Sequence, residues 1–143
     1  MTTTITREQL RQWGACYTDA QIAALIPESG LQLIDVARLP IPPEDIIWVA
    51  TRHGVLPDSI LWEWTARIVE RALARVPNPD PRSLAVVPLL RRLAAGEKVS
   101  KSERDAARAA AWDAAWAADR AAERKLQLDD LIALLTTKER PQT

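Results

Sequence analysis

The chain has 143 residues, with 19 basic and 19 acidic side chains and a formal net charge of zero, which suits a single domain large enough to bury a core. That balance disfavours a nucleic-acid partner, since gripping phosphates draws a basic excess and mimicking them an acidic one. Cys16 is the single cysteine, so no intramolecular disulfide or thiolate metal site is expected. The opening MTTTITREQL lacks the pattern of an export signal and no apolar run reaches bilayer length, so a cytoplasmic location and no membrane contact are expected.

Prolines punctuate the chain, because each fixes its own backbone and pushes its predecessor out of helical geometry. Thr6-Arg7-Glu8-Gln9 has capping-box form ahead of Leu10 and Trp13, and Thr18-Asp19-Ala20-Gln21 repeats it before Ile22, Leu25 and Ile26. Pro27 and Gly30 close that second short helix. A third helical segment is expected over about 31–39, with Leu31, Ile34 and Val36 inward, and a fourth over about 44–53, with Ile46, Ile47, Val49 and Ala50 around Trp48.

Asp58 or Ser59 is placed to cap a longer helix through Val76, in which Leu61, Thr65, Ile68, Ala72 and Val76 recur at three- and four-residue spacing. Asp80 and Pro81 supply an N-cap and a first helical position for a helix to about Ala95, which Pro88 should kink or interrupt. Ser100-Lys101-Ser102-Glu103 is a third capping box, and alanine dominates 106–122. With neither glycine nor proline between Gly96 and Pro141, a helix over about 102–136 is expected, roughly 50 Å long if unbroken and shorter if it bends near Gln127.

No strand is expected, since Ile46-Ile47 and Val86-Val87 are short and lie within helical patterns. The fold class is therefore all-α, a compact bundle of about six or seven helices with a long alanine-rich C-terminal helix. Residues 1–143 read as a single domain: a short-helix part over 1–57, a longer-helix part over 58–137 and a tail over 138–143.

Catalytic, cofactor and metal motifs are missing from the sequence, and no catalytic residue or cofactor is assigned. His53, the single histidine, reads as a helix end, where a cation suits the helix dipole. Cys16 reads as a small buried thiol with no general base supplied by motif. Glu44-Asp45 and Asp129-Asp130 read as acidic pairs at helix starts, and four glycines form no phosphate-cradling loop.

One constellation stands out. Arg104, Arg108, Trp112, Trp116, Arg120 and Arg124 follow one another at intervals of four, so successive members are helix-surface neighbours that drift by about 40° per step. Arginine and tryptophan are the types enriched at binding hot spots and can stack through cation–π contacts. The stripe admits two readings, a partner-binding surface or the core side of a buried central helix. Trp62 and Trp64 point about 200° apart and cannot both face one core. Trp64 neighbours Leu61 and Ile68, which leaves Trp62 as the candidate for exposure or a second interface.

The segments Leu10-Arg11-Gln12-Trp13-Gly14-Ala15-Cys16, Leu61-Trp62-Glu63-Trp64, Pro79-Asp80-Pro81-Arg82, Ala94-Ala95-Gly96-Glu97 and Ala110-Ala111-Trp112-Asp113-Ala114-Ala115-Trp116 together resemble the immunity-protein-like helical domains. These are alanine- and tryptophan-rich proteins of bacterial genomes, phages and prophages, and the likeness is strongest over about 61–135. The chain departs from that pattern in lacking a cysteine over 65–69 and in placing Pro88 within a helix. What the resemblance implies is a non-catalytic protein that binds and neutralises another protein, a toxin or an effector. A phage-encoded blocker of a bacterial defence system, such as a CRISPR effector, is the alternative it carries, and a helical nucleic-acid-binding module is a third.

Overall fold

The structure, a computed structural model, describes residues 3–117 and 121–139, with side chains over 3–110 and 122–137. In chain order the elements are β1 (Thr4–Ile5), α1 (Arg7–Gln12), α2 (Asp19–Leu25), β2 (Leu31–Gln32), α3 (Leu33–Ala37), α4 (Pro43–Ala50), α5 (Asp58–Ala74), α6 (Pro81–Leu84), α7 (Val86–Ala94), α8 (Lys101–Ala117) and α9 (Ala121–Glu139). The chain is mostly helical, and among the described residues no helix is long and apolar enough to cross a membrane. The expected helix over 102–136 is represented by α8 and α9. Residues 118–120 lie outside the described residues, and α9 is one continuous helix through Gln127.

Local chemistry sets most of the helix starts. Thr6 and Thr18 both form complete capping boxes, each hydroxyl accepting from the amide of Gln9 or Gln21 while that glutamine accepts from the cap amide. Ser100 Oγ likewise accepts from the Glu103 amide at 3.2 Å, so α8 begins at Lys101, a residue before the expected start. Asp80 caps α6 through the Arg82 amide with Pro81 at the first helical position. Neither Asp58 nor Ser59 caps α5: Pro57 holds that position with extended backbone, and Asp58 contributes charge in the first turn instead.

Pro88 acts as expected. It has no amide to bond the Leu84 carbonyl and its ring would crowd that group, so α6 ends at Leu84 and α7 restarts at Val86. Pro88 then lies in the first turn of α7, where amides lack intrahelical partners in any case.

The expectation of no strand is not met, since the otherwise helical chain carries one sheet of two two-residue strands. Thr4 pairs antiparallel with Gln32 and Ile5 with Leu31, which takes Leu31 out of the third helix and shifts the inward face of α3 to Leu33, Ile34, Val36 and Ala37. The pairing holds Ile5, which is fully buried, and it depends on Gly30. That residue has φ +83°, and a Cβ there would lie 2.6 Å from Thr4 Cγ2 and 2.9 Å from the Ile5 carbonyl oxygen.

The core has two clusters that share α5. The first joins Leu10, Ile22, Ile34 and Val49 of the short helices to Ile60 and Trp64 of α5 and to Leu131 and Leu135 of α9. The second joins Ala66 and Val69 of α5 to Val86, Leu90 and Leu93 of α7 and Ala107 of α8. Contacts on both sides explain a correction within α5. Its buried residues are Ile60, Trp64, Ala66 and Val69, while Val76 falls beyond the helix and is 47% exposed rather than inward.

Polar contacts fix α5 against α9. Trp64 is 2% exposed and its Nε1 donates to the Gln127 carbonyl at 2.8 Å. About two helical turns further along α5, Arg71 Nε donates to Glu123 Oε1 and Oε2 at 3.0 and 2.9 Å, and its Nη1 donates to Asp130 at 2.7 Å. Arg75 Nη2 adds a bond to Glu123 at 2.8 Å. Glu123 is 1% exposed. Burial pushes its pKa up, but the hydrogen bonds and charges of Arg71 and Arg75 outweigh that, and the net shift is down.

Two measurements test this account. Removing one partner of a buried ion pair costs about 3–5 kcal/mol, so Glu123→Ala should lose roughly that in urea unfolding at pH 7; a loss under about 1 kcal/mol would remove the network from the structural account. A carboxylate whose folded pKa is depressed stabilises above its unfolded pKa, and that stability fades as pH falls through the folded value. The deficit of Glu123→Gln relative to the parent should therefore shrink below about pH 4. The second measurement compares glycines. Gly14 has φ +76°, and a Cβ added there would meet nothing within 4 Å, so Gly14→Ala should cost about 1 kcal/mol for backbone strain alone, and Gly30→Ala clearly more. Equal losses would argue against the steric contact with β1.

Candidate protein-interaction groove

Two proline-driven breaks leave apolar side chains in solvent on one side of the molecule. Pro77 keeps Val76 out of α5, and Pro88 confines α6 to a single turn. Val76 and Leu84 are each 47% exposed. They face a common groove of about 880 Å³ whose wall also includes Leu73, Pro79, Val87 and Pro88.

The groove carries charges at its edge. Arg91 Nη1 donates to Glu70 at 2.9 Å and its Nε lies 3.6 Å from Glu63. This hydrogen bond lowers the pKa of Glu70 and raises that of Arg91. Arg92 lies 3.8 Å from both Glu97 and Glu103, distances at which exposed pairs contribute little and leave the guanidinium available. Glu103 belongs to the first turn of α8, so this pair brings the start of α8 to the groove's Arg92 edge.

The stripe on the alanine-rich segment divides. Arg104 and Arg108 are exposed on α8, and neither guanidinium forms a hydrogen bond or ion pair among the described residues. The side chains of Trp112 and Trp116, and Arg120 as a whole, lie outside the described residues. Arg124 is partly buried on α9 and already engaged in an interaction. Alanine between the arginines does what small side chains allow: Ala107 is fully buried, with Ala110 beside it, against the second core cluster.

Other candidates are corrected. Trp62 is partly buried and packs on the second cluster, with part of its ring surface still in solvent. Trp62 and Trp64 do diverge, each into a different cluster. Cys16 is exposed rather than buried. The Gly14 amide bonds the Arg11 carbonyl and the Ala15 amide bonds the Leu10 carbonyl, a Schellman ending that closes α1 and turns the chain outward. Asp129-Asp130 lies within α9, not at a helix start, and Asp130 accepts from Arg71. Glu44-Asp45 does occupy the first turn of α4.

His53 is exposed in the turn after α4. The cation that closes that helix is Arg52, whose Nε donates to the Trp48 carbonyl at 2.9 Å and whose guanidinium sits 4.4 Å from the Trp48 ring centroid. Among the described residues no group of three or more His, Cys, Asp or Glu side chains is placed to hold a metal ion.

The periodicity of α5 missed the groove by carrying the helix on to Val76. The prolines that end α5 and α6 were the available signal. No family model, curated protein or solved structure matches the chain.

If Trp62 is core and Val76 and Leu84 are surface, their truncations will separate. Trp62→Ala should cost roughly 2–4 kcal/mol in thermal or urea unfolding, while Val76→Ser and Leu84→Ser should stay within about 1 kcal/mol of the parent. Comparable losses at all three would place Val76 and Leu84 in the core and remove the groove as a contact surface.

Proposed function

We propose that the chain is a non-catalytic, immunity-type inhibitor that occludes a toxin or effector protein in the bacterial cytoplasm, using the groove and the adjoining start of α8. The observation that carries this reading is Val76 and Leu84 standing half exposed over one apolar groove. Apolar area held in water by a rigid scaffold is stabilised by burial against a partner.

Arg104 and Arg108 add direction to the surface. Exposed guanidinia on the helix whose first turn reaches Arg92 at the groove edge favour a partner that presents carboxylates as well as an apolar protrusion. A folded helical scaffold keeps the ordering cost of association low. The resemblance to immunity-protein-like domains supports the same class of partner, and net charge zero disfavours nucleic acid as the target.

Co-purification from the source cell with mass spectrometry tests the proposal. The tagged parent should recover a stoichiometric protein partner. The Leu84→Glu, Arg108→Glu double variant, folded by circular dichroism, should recover at least about tenfold less, as expected when an apolar anchor and a complementary charge are both lost. Recovery of no stoichiometric protein, or equal recovery by the variant, overturns the assignment. Salt-sensitive retention of nucleic acid by the parent would favour the nucleic-acid-binding alternative instead.

A further inference from the structure

A second concavity, sharing no residue with the groove, lies among β1, α1, α2, α3 and α4 and has a volume of about 340 Å³. Buried core residues from separate elements form its floor, Ile5 of β1, Ile22 of α2, Val36 of α3 and Val49 of α4, and the half-buried Leu25, Leu39, Ile41 and Trp48 form its accessible apolar wall. Small-molecule sites are built this way, with an apolar chamber of a few hundred Å³ and a few polar groups at one place. Here the polar groups are Tyr17, Glu44 and Asp45, with Cys16 alongside.

The charged groups among them, Glu44 and Asp45, have one sign. The Tyr17 hydroxyl donates to Asp45 Oδ2 at 2.5 Å, and no arginine or lysine among the described residues forms an ion pair with Glu44 or Asp45. Elsewhere acidic side chains that line concavities are paired, as Glu70 is with Arg91 and Glu97 with Arg92. The helix dipole accounts for two acids in the first turn of α4. It does not account for an apolar chamber next to them. Burial, the hydrogen bond to Asp45 and the charges of Asp45 and Glu44 push the Tyr17 pKa up to about 12, so the hydroxyl remains a donor at neutral pH and occupies only part of Asp45's acceptor capacity.

We propose that this pocket binds a small primary amine carrying a hydrocarbon body, with the ammonium at Glu44 and Asp45 and the hydrocarbon in the chamber. The carboxylates supply the acceptors that a three-donor ammonium needs. The hydrocarbon displaces water from a site whose walls offer it no hydrogen bonds. The site is independent of the protein-binding groove, and neither assignment depends on the other.

Isothermal titration of the 143-residue chain at pH 7 with octylamine, octanol and octanoate tests it. Octylamine should bind one-to-one with a dissociation constant on the order of 100 µM, and octanoate at least about tenfold more weakly. Glu44→Gln combined with Asp45→Asn should weaken octylamine by at least about tenfold while leaving octanol unchanged. Cys16 is the single thiol in the chain, so its alkylation by iodoacetamide reports on the pocket in the unmodified protein, whether or not the variant folds. Saturating octylamine should slow that alkylation. Failure of octylamine to saturate, octanoate binding as tightly as the amine, or unchanged Cys16 alkylation at saturation would each overturn the proposal. Leu84→Glu should bind octylamine like the parent, which separates this outcome from that of the groove.

Discussion

The carboxylate of Glu123 is the constraint around which the rest of the fold is arranged. A nearly fully buried charge is tolerated only when it is paired and hydrogen-bonded, and Arg71 and Arg75 both reach it from α5. Their spacing of four on one helix and the spacing of Glu123, Gln127 and Asp130 on the other admit one register. A slide of α9 by one turn would leave the buried Glu123 carboxylate without its arginine partners. Trp64 fixes the same register from the first core cluster, through its bond to the Gln127 carbonyl.

That register links the two ends of the sequence. α9 packs on α3 and α4 as well as α5, so Leu131 and Leu135 complete a cluster that begins with Ile5 and Leu10. α5 meanwhile carries the second cluster on its other side, with α7 and α8. A helix covered on both sides can place apolar residues on each, which is why Trp62 and Trp64 are both accommodated. The groove lies where this double coverage stops, at the end of α5 and across the one-turn α6.

Much of the backbone plan was legible in the sequence because it is set by short-range chemistry. Capping at Thr6, Thr18, Asp80 and Ser100 and the break caused by Pro88 each involve groups within four residues of one another. What was not legible depends on partners far along the chain. The pairing of Ile5 with Leu31 leaves no periodic signal in two-residue strands. Leu61, Ile68 and Ala72 of the expected stripe do pack on the core, but the most buried residues of α5 are Ile60, Trp64, Ala66 and Val69, because the helix is covered on two sides while its spacing marks a single stripe. Glu123 was missed for the opposite reason: a charged residue in the phase of Gln127, Leu131 and Leu134 reads as solvated until arginines from 48 and 52 residues away are seen beside it. The stripe that drew attention in sequence is only partly described, and its visible members separate into exposed Arg104 and Arg108 and an engaged Arg124.

Net charge zero bears on function differently once the charges are placed. A neutral total is compatible with surfaces of opposite sign, provided they lie further apart than the screening length of about 8–10 Å. Arg71, Arg75 and Arg91 are neutralised within the fold by Glu123, Asp130, Glu70 and Glu63. Among the charges that stand outside such pairs are Arg104 and Arg108 on α8 and Glu44 and Asp45 on α4. Glu44 and Asp45 line the second pocket, while α8 meets the groove's edge through Glu103 and Arg92. A net charge of zero disfavours a polyanion as the ligand of the whole surface. It does not bear on the two ligands proposed above, an acidic protein surface for one concavity and an amine for the other, because an average over the chain conceals where its charges lie.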